Sequence, residues 1–384
     1  MTQESTPTYY QASQFFDGQG IQDNVRLTID GGVITAIDTN PQPTDLPLNG
    51  LVTAGFIDTQ VNGGGGVLFN QQPSLATIQK IRQAHSLFGT TAMLPTLITD
   101  NLEIMQQAAE AIAEAIEQQE PGILGVHFEG PHLSVPKRGI HSEKTIRPLS
   151  DDEMQIFCRQ DLGQVMVTVA PENVTPQQIA KLVDCGVIVS LGHSNADIET
   201  VLKAIDAGAT GFTHLFNAMS GLTARNPGML AAGLHDERVF CGIIADELHV
   251  HPYNCRLVFQ CKGWQRLMIV TDAMAHVGAD VDSLPWLDTE IIRQGNKLTL
   301  PDGTLAGSAL DMSSAVRNLH HNMDVPLVSA LNMASSTPAE FLACSNRGKL
   351  EVGMQADFVL LNEQLHTLGC WIAGVQVARE GAQL

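Results

Sequence analysis

The chain has 384 residues and a mass of 41.3 kDa, and its 41 acidic residues outnumber its 21 Lys and Arg residues, which gives a formal net charge of −20 at pH 7. Hydrophobic residues make up 44% of the chain, enough for a large core, so intrinsic disorder is excluded as its main state. The negative charge repels nucleic-acid phosphates and anionic lipids, so neither is predicted as a partner. An anionic small substrate would need local cations in its pocket.

Targeting and cysteine patterns predict a soluble protein of the cytoplasm. The first ten residues contain no basic cluster followed by an apolar run, and no run of about 18 apolar residues occurs along the chain. The cysteines are odd in number and none are spaced C-x-x-C, so we predict that all seven are reduced thiols rather than disulfides or metal ligands.

Eight short apolar runs rich in Val, Ile and Leu follow one another along the middle of the chain, and amphipathic stretches lie between most of them. The runs are Leu51–Asp58, Thr90–Pro95, Ile123–Glu129, Val165–Ala170, Val187–His193, Ala209–Leu215, Val239–Ala245 and Leu267–Asp272. The clearest helical stretches are Ser74–Leu87, Asn101–Gln118, Pro176–Cys185 and Ala196–Ala207. Runs this continuous suit strands covered on both faces, and their alternation with helices predicts a (β/α)₈, TIM-like barrel. A doubly wound open sheet is the alternative.

The two ends of the chain have a different pattern from the middle. Arg26–Ile29 and Val33–Ile37 flank Asp30-Gly31-Gly32, which is a hairpin signal, and Phe358–Leu361 is a strand-like run near the other end. Since neither end has enough apolar surface to fold alone, we predict that they pair into one small β-sandwich domain. The predicted domains are residues 1–52 with 345–384, and a catalytic barrel of residues 53–344.

Polar side chains follow the predicted strands at the ends that meet at one mouth of a barrel. They are Asp58, Gln60, Asn62, Glu129, His193, His214, Asp246, His249 and Asp272. Two imidazoles and a carboxylate from separate strands supply three protein ligands to a metal and leave a position for water. A carboxylate at Glu129, directly after an apolar strand, is costly to bury unless it is paired or bound to metal.

Two of these residues have competing interpretations. Asp272 is either a proton-transfer group or simply the N-cap of a following helix, and the sequence does not decide between them. In His249-Val250-His251 we keep only His249 as a site residue, because His251 precedes Pro252 and is predicted to begin a helix.

Several motifs in order along the chain resemble the amidohydrolase superfamily and, within it, the deacetylases of N-acetylglucosamine 6-phosphate. They are Gly55–Gly66 (GFIDTQVNGGGG), His127–His132 (HFEGPH), Gly192–Asn195 (GHSN), Thr213–Met219 (THLFNAM), 225–228 (RNPG), Gly242–His249 (GIIADELH), Val270–Ala273 (VTDA) and Gly307-Ser308. The resemblance extends over essentially the whole chain.

The resemblance implies roles for individual residues. Glu129, His193 and His214 match the metal ligands, Asp272 matches the general base and acid, and His141 matches a residue that polarises the amide carbonyl. The implied substrate-binding residues are Gln60, Asn62, Gly130, Asn217, Ala218, Arg225, His249 and Ser308. Arg225 matches an arginine that reaches the phosphate in the neighbouring subunit, which implies a homodimer.

The first strand departs from the usual superfamily pattern. Its His-x-His pair, which binds a second metal, is replaced by Gln60-Val61-Asn62, and amides are poor zinc ligands. We therefore expect one divalent ion per subunit, with Zn²⁺ favoured and Fe²⁺ or Co²⁺ accepted. Whether a weak second metal site exists near Gln60 and Asn62 stays open.

The implied reaction is hydrolysis of the acetamide of N-acetyl-D-glucosamine 6-phosphate by a metal-activated water, which gives glucosamine 6-phosphate and acetate. The alternatives are the same reaction on N-acetylgalactosamine 6-phosphate, a ring-opening cyclic amidohydrolase and a non-catalytic scaffold. A ring-opening enzyme typically carries the His-x-His pair and a bridging lysine. A scaffold would be favoured by the loss of Asp272 or a ligand histidine, and all are present.

Overall fold

A computed structural model describes residues 6–379 and 381 of the chain. The strands are β1 (Thr8–Phe16), β2 (Ile21–Asp30), β3 (Val33–Asp38), β4 (Leu46–Ala54), β5 (Phe56–Val61), β6 (Gly63–Gly64), β7 (Val67–Leu68), β8 (Thr90–Ile98), β9 (Gly125–Glu129), β10 (Gln164–Val169), β11 (Ile188–Leu191), β12 (Gly211–Phe212), β13 (Phe240–Ile243), β14 (Leu267–Ile269), β15 (Ser283–Trp286), β16 (Thr289–Gln294), β17 (Lys297–Thr299), β18 (Phe358–Leu361), β19 (Thr367–Ile372) and β20 (Val375–Arg379). The helices are α1 (Leu75–Ser86), α2 (Leu102–Glu117), α3 (Asp151–Phe157), α4 (Pro176–Asp184), α5 (Ile198–Asp206), α6 (Gly228–His235), α7 (Pro252–Lys262), α8 (Met312–Asn322), α9 (Leu327–Ala334) and α10 (Ser336–Phe341). Within this part of the chain, none of the helices combines the length and apolar character needed to cross a bilayer.

Eight parallel strands form the predicted barrel. Their order is β5-β8-β9-β10-β11-β12-β13-β14, so each strand lies beside the next one along the chain. A parallel bridge between Val61 and Ala273 joins the first strand to the segment after the last, and the Asp272 amide donates to the Gln60 carbonyl at 3.0 Å. The barrel prediction is confirmed, and the open-sheet alternative is wrong.

The helices between the strands begin where the sequence provides caps. The side chains of Ser74 and Asn101 accept hydrogen bonds from backbone amides in the first turns of α1 and α2, and Thr175 forms a capping box with Gln178 at α4. All four clearly amphipathic stretches are helical. Strand β8, for example, is buried at all nine positions, as expected when helices cover the outer face of a packed barrel.

The predicted strand Leu51–Asp58 is wrong as a single element. The chain changes sheets at Gly55, so β4 belongs to the terminal sheet and β5 begins the barrel. The close approach of Thr91 requires a glycine at this break, since a Cβ atom at Gly55 would lie 2.1 Å from the Thr91 hydroxyl oxygen. The Gly55 amide donates instead to the Asp357 carbonyl at 3.0 Å, which ties the junction to the C-terminal strands.

Strands from both ends of the chain form the small β-sandwich domain that the sequence predicts. Their order is β20-β19-β18-β4-β1-β2-β3, with β1 and β4 parallel and the other neighbours antiparallel. They enclose a separate apolar core in which Phe358 and Trp371 stack with ring centroids 4.6 Å apart. The hairpin at Gly31-Gly32 is confirmed. The domain bounds stay a prediction, and they take in residues 1–5, 380 and 382–384, which lie outside the described residues.

A three-stranded antiparallel sheet, β15-β16-β17, follows the last barrel strand and covers part of the barrel mouth. Its Trp286 packs in a small apolar cluster with Ile98 and Met274, and the indole donates to the Ile140 carbonyl at 3.4 Å. This insert therefore contacts the loop between β9 and α3.

The prediction that all seven cysteines are reduced is wrong for one pair. Cys158 and Cys185 form a disulfide with their Cα atoms 5.3 Å apart. They are the C-cap residues of α3 and α4, which the barrel places side by side although 27 positions separate them in sequence. The other five cysteines are free thiols.

We predict that Gly55→Ala lowers the free energy of unfolding by about 1–3 kcal/mol, because the added methyl group overlaps Thr91. Urea denaturation measures the change. Gly20→Ala is the matched control, since a Cβ atom there has no neighbour within 4 Å. Equal stability of the two variants would contradict the requirement for glycine at position 55.

Candidate metal centre

A cavity of about 230 Å³ opens at the C-terminal ends of the barrel strands. Residues at the ends of barrel strands and in the loops that follow them line it. They are Asn62, Ile98, Glu129, Gly139, Ile140, His141, His193, His214, Asn217, Ala218, His249, Asp272, Thr304, Leu305 and Gly307. Most of the residues predicted to form the site are therefore brought together at one mouth.

Three side chains converge at the floor of the cavity. Glu129 ends β9, and His193 and His214 each follow a barrel strand by two residues. The Glu129 Oε1 atom lies 3.2 Å from His193 Nε2 and 3.0 Å from His214 Nε2, and the two nitrogens are 3.1 Å apart. All three residues are buried. The predicted ligand triad is thus assembled in space.

The triad fits a divalent metal ion. Tetrahedral ligands at about 2.0–2.1 Å from zinc lie about 3.3 Å from one another, close to the separations observed here. The His193 Nδ1 atom is 2.8 Å from the Lys137 carbonyl, which can only accept, so the imidazole proton is on Nδ1 and Nε2 presents its lone pair to the triad. Burial alone would raise the pKa of Glu129, but its contacts with the imidazoles of His193 and His214 hold that pKa well below its usual range.

Asp272 lies beside the triad and is linked to it through an amide. The Gln60 Nε2 atom is 3.1 Å from both Glu129 Oε1 and Asp272 Oδ1, and Asn62 Nδ2 donates to the same Asp272 oxygen at 2.7 Å. Burial, followed by the charge of Glu129, raises the pKa of Asp272 above its ordinary value. Gln60 and Asn62 therefore position carboxylates by donating hydrogen bonds from their N–H groups. A metal ligand would instead direct a lone pair of its amide oxygen to the ion.

The backbone excludes the interpretation of Asp272 as a helix cap. In the described chain the next helix after Asp272 is α8, which begins 40 residues later, and the N-cap of α8 is Asp311. Asp272 has a φ of 52°, and His193 and His214 also have positive φ values of 48° and 32°. Non-glycine residues in this region cost free energy, and such strain is concentrated at functional sites.

His141 reaches the cavity from the long loop between β9 and α3. Its ring is buried, with the centroid 4.4 Å from that of His193, and its Nδ1 atom is 2.7 Å from the Thr99 hydroxyl. Burial and then the neighbouring charge of His193 hold the pKa of His141 well below its usual range. An ion pair between Arg147 and the buried Glu153, at 2.5 Å, anchors the end of this loop.

The residues predicted to contact substrate fall into two groups. Asn217, Ala218 and His249 line the cavity together with Asn62, and His249 Nδ1 is held at 2.7 Å from Asp246 Oδ2. Of the described residues that line the cavity, none is Gln60, Gly130, Arg225 or Ser308. The Gln60 amide lies instead between Glu129 and Asp272.

Each residue of the second group has another position. The Ser308 hydroxyl donates to the Thr271 carbonyl at 2.5 Å, which supports the Asp272 segment from below. Gly130 follows Glu129, and its φ of 88° together with the close Thr99 hydroxyl leaves no room for a side chain. Arg225 is exposed on the loop between β12 and α6. His251 is the N-cap of α7, as expected, so only His249 of that pair belongs to the site.

Sequence reasoning missed two of the groups that orient the site and gave the third, Asp246, no role. Thr99 contacts His141, the Lys137 carbonyl fixes His193, and Asp246 holds His249. Only Asp246 had a signal, its place after a predicted strand. Backbone carbonyls and loop contacts have no signature in a single sequence.

Comparison with known proteins gives the family. The model of the amidohydrolase family matches residues 51–378. The chain belongs to the amidohydrolase family. Its relatives include an N-acetylgalactosamine-6-phosphate deacetylase of Shewanella sp. (strain ANA-3), which is 52% identical over 89% of this chain and 86% of the relative. They also include an N-acetylglucosamine-6-phosphate deacetylase of Haemophilus influenzae, which is 34% identical over 91% of this chain and 93% of the relative.

Solved structures of amidohydrolases agree with this assignment. The crystal structure of N-acetylglucosamine-6-phosphate deacetylase from Pasteurella multocida superposes with a TM-score of 0.93 at 36% identity, covering 97% of this chain and all of that chain. The resemblance stated from the motifs is confirmed, and this amidohydrolase is an enzyme related to amino-sugar-phosphate deacetylases.

Proposed function

We propose that this amidohydrolase removes the acetyl group from an N-acetylated hexosamine 6-phosphate, giving the free amino sugar phosphate and acetate. The observation that carries the proposal is the convergence of Glu129, His193 and His214 beside Asp272 at the floor of one cavity. The names of the deacetylase relatives supply the substrate class. Because charged sugar phosphates do not cross an apolar bilayer unaided, we also propose that the enzyme works in the cytoplasm.

We propose one divalent cation per chain, most simply Zn²⁺, with Fe²⁺ or Co²⁺ as alternatives that the same ligands accept. When bound, the ion supplies Lewis acidity, which polarises the acetamide carbonyl and makes water acidic enough to lose a proton near neutral pH. The amides of Gln60 and Asn62 donate to carboxylates rather than presenting oxygen ligands. This supports a site for a single ion.

Asp272 carries the proton in the proposed reaction. Its carboxylate takes a proton from the water that attacks the carbonyl carbon, and then delivers it to the amide nitrogen as the C–N bond breaks. The nitrogen must be protonated at this step because an amide anion is a very poor leaving group. The two amide donors on Asp272 Oδ1 fix the carboxylate, so its other oxygen is directed to this transfer.

His141 stabilises the negative charge that develops on the carbonyl oxygen, because a buried donor aimed at that oxygen acts in a site with little water. Asn217, the Ala218 backbone and His249 contact the sugar and its phosphate, which gives remote binding energy that places the acetamide over the triad.

Two rival functions are less well supported. A ring-opening cyclic amidohydrolase typically uses the His-x-His pair, and here Gln60 and Asn62 stand in its place with their amides turned toward acids. A non-catalytic scaffold would have no need to bury Glu129 among imidazole nitrogens beside a second carboxylate, which is costly without a bound cation.

The epimer that the enzyme prefers is a separate proposal. The sequence motifs favoured N-acetylglucosamine 6-phosphate, but the 52% identity to the Shewanella N-acetylgalactosamine-6-phosphate deacetylase favours the galacto substrate. The relatives at 34% identity include enzymes with either name. We therefore place N-acetylgalactosamine 6-phosphate first and the gluco epimer second.

We predict that Asp272→Asn keeps one divalent ion per chain but lowers kcat by at least about a thousandfold, because it removes the proton carrier and leaves the ligand triad. Metal analysis and an acetate-release assay measure the two effects. His214→Ala is the control, which is expected to lose both metal and activity. Near-normal turnover of the Asp272→Asn enzyme would exclude the proposed role.

The comparison of kcat/KM for the two epimers tests the substrate. We expect N-acetylgalactosamine 6-phosphate to be favoured by about fivefold or more, since one misplaced sugar hydroxyl left without a partner costs at least about 1 kcal/mol. The unphosphorylated sugars are the control for the phosphate contribution. Release of acetate from none of these compounds would refute the deacetylase proposal itself.

We propose a homodimer in which Arg225 completes the phosphate site of the neighbouring subunit, which would supply the local cation that this acidic protein needs. Arg225 is exposed and lies outside the cavity of its own chain. A mixture of Arg225→Ala and Asp272→Asn chains, each weakly active alone, is expected to regain about a quarter of the wild-type rate through heterodimers. Recovery would be absent if Arg225 acted within its own chain.

A further inference from the structure

His141 depends on its tautomer to serve as a hydrogen-bond donor. A neutral imidazole carries one proton, on either Nδ1 or Nε2, and the nitrogen without the proton can only accept. Among the described residues, no group forms a hydrogen bond with His141 Nε2, whereas Nδ1 is in contact with Thr99. The tautomer therefore decides whether the ring offers the cavity a donor or an acceptor.

Thr99 approaches the Nδ1 atom with two groups. Its backbone N–H points at Nδ1 at 3.4 Å, and its hydroxyl oxygen lies 2.7 Å from the same atom. A backbone N–H can only donate, so Nδ1 must be the acceptor. The hydroxyl proton has two acceptors in reach, Nδ1 at 2.7 Å and the Glu129 carbonyl at 3.3 Å. Because an Nδ1 atom that accepts from the backbone N–H has no proton of its own, the hydroxyl must donate to it; otherwise two lone pairs would face each other at 2.7 Å.

The surroundings hold Thr99 and His141 in this contact. Thr99 directly follows β8, is 7% exposed and lies against Gly130, where any Cβ atom would meet its hydroxyl at 2.3 Å. The His141 amide donates to the Arg138 carbonyl at 3.0 Å, and the Arg138 guanidinium donates to the His141 carbonyl at 3.0 Å. The backbone of His141 is thus fixed independently, and Thr99 determines the orientation of the ring.

We propose that Thr99 is a positioning residue that holds His141 in the tautomer with its proton on Nε2, the nitrogen available to the substrate carbonyl. The inference rests on the proposed deacetylase function, in which His141 donates to the developing negative charge. It adds a residue that is not among the described residues lining the cavity, whose contact with Glu129 is with the backbone carbonyl, and which acts through His141.

Kinetics of Thr99 variants test the proposal. Thr99→Val removes the hydroxyl at nearly constant volume, and we expect kcat to fall about tenfold to a hundredfold with KM changed less than threefold and metal content unchanged. Thr99→Ser keeps the hydroxyl and is expected to retain at least half of the wild-type kcat. Thr53→Val is the matched control, because Thr53 is also buried but its hydroxyl has no partner among the described residues.

A double-mutant cycle separates positioning from a general structural effect. If Thr99 acts through His141, then Thr99→Val should change kcat by less than twofold in a His141→Ala background. Equal losses in both backgrounds, or a Thr99→Val enzyme within twofold of wild type, would overturn the proposal.

The tautomer is also measured directly in the intact metal-loaded enzyme. Nitrogen-15 NMR of the His141 ring, assigned by its loss in His141→Ala, is expected to show the proton on Nε2 in wild type and a mixture in Thr99→Val. This readout does not need turnover. An absence of acetate release by wild type would refute the deacetylase function, whereas a proton on Nδ1 in wild type would refute the role of Thr99.

Discussion

The close approach of three ligand atoms, 3.0–3.2 Å apart, is the constraint on which the rest of the site depends. A carboxylate oxygen and two imidazole nitrogens converge on one point, and burial removes the water that would otherwise screen them. A bound cation satisfies all three at once. The surrounding groups then serve to keep these atoms in place. The Lys137 carbonyl fixes the tautomer of His193, and Gln60 donates to the same Glu129 oxygen that faces the two histidines.

The barrel was predictable because its signals are local and repeated. Runs covered on both faces, separated by capped helices, specified the order of eight strands, and polar residues at their ends marked Glu129, His193, His214 and Asp272 before any geometry was known. This works since parallel strands in a closed barrel must direct their C-terminal ends to the same mouth. A polar residue at the C-terminal end of a barrel strand is therefore predicted to lie at this mouth.

What the sequence did not predict depends on contacts between distant segments. The apolar run through Gly55 has the pattern of one strand, and only the pairing of β4 and β5 with different sheets shows where the chain leaves one sheet for the other. The Cys158–Cys185 pair needs two helix ends to be neighbours. Thr99 has no signal because its role arises from a 2.7 Å contact with a loop 42 residues away. Pattern reasoning finds the residues that bind, and it misses those that orient them.

The seam of the barrel links stability to chemistry. Asp58, fully buried under the site, accepts hydrogen bonds from the amides of Gln60 and Thr271 and from the Thr271 hydroxyl at 2.5 Å, so it fastens the first strand to the last. Burial raises the pKa of Asp58 to about 7. Gln60 is itself one of these two donor residues, and Asp272 directly follows the other, Thr271. The contacts that close the barrel therefore also set the distance between Asp272 and the Gln60 amide that holds it, whereas His193 and His214 follow other strands of the barrel.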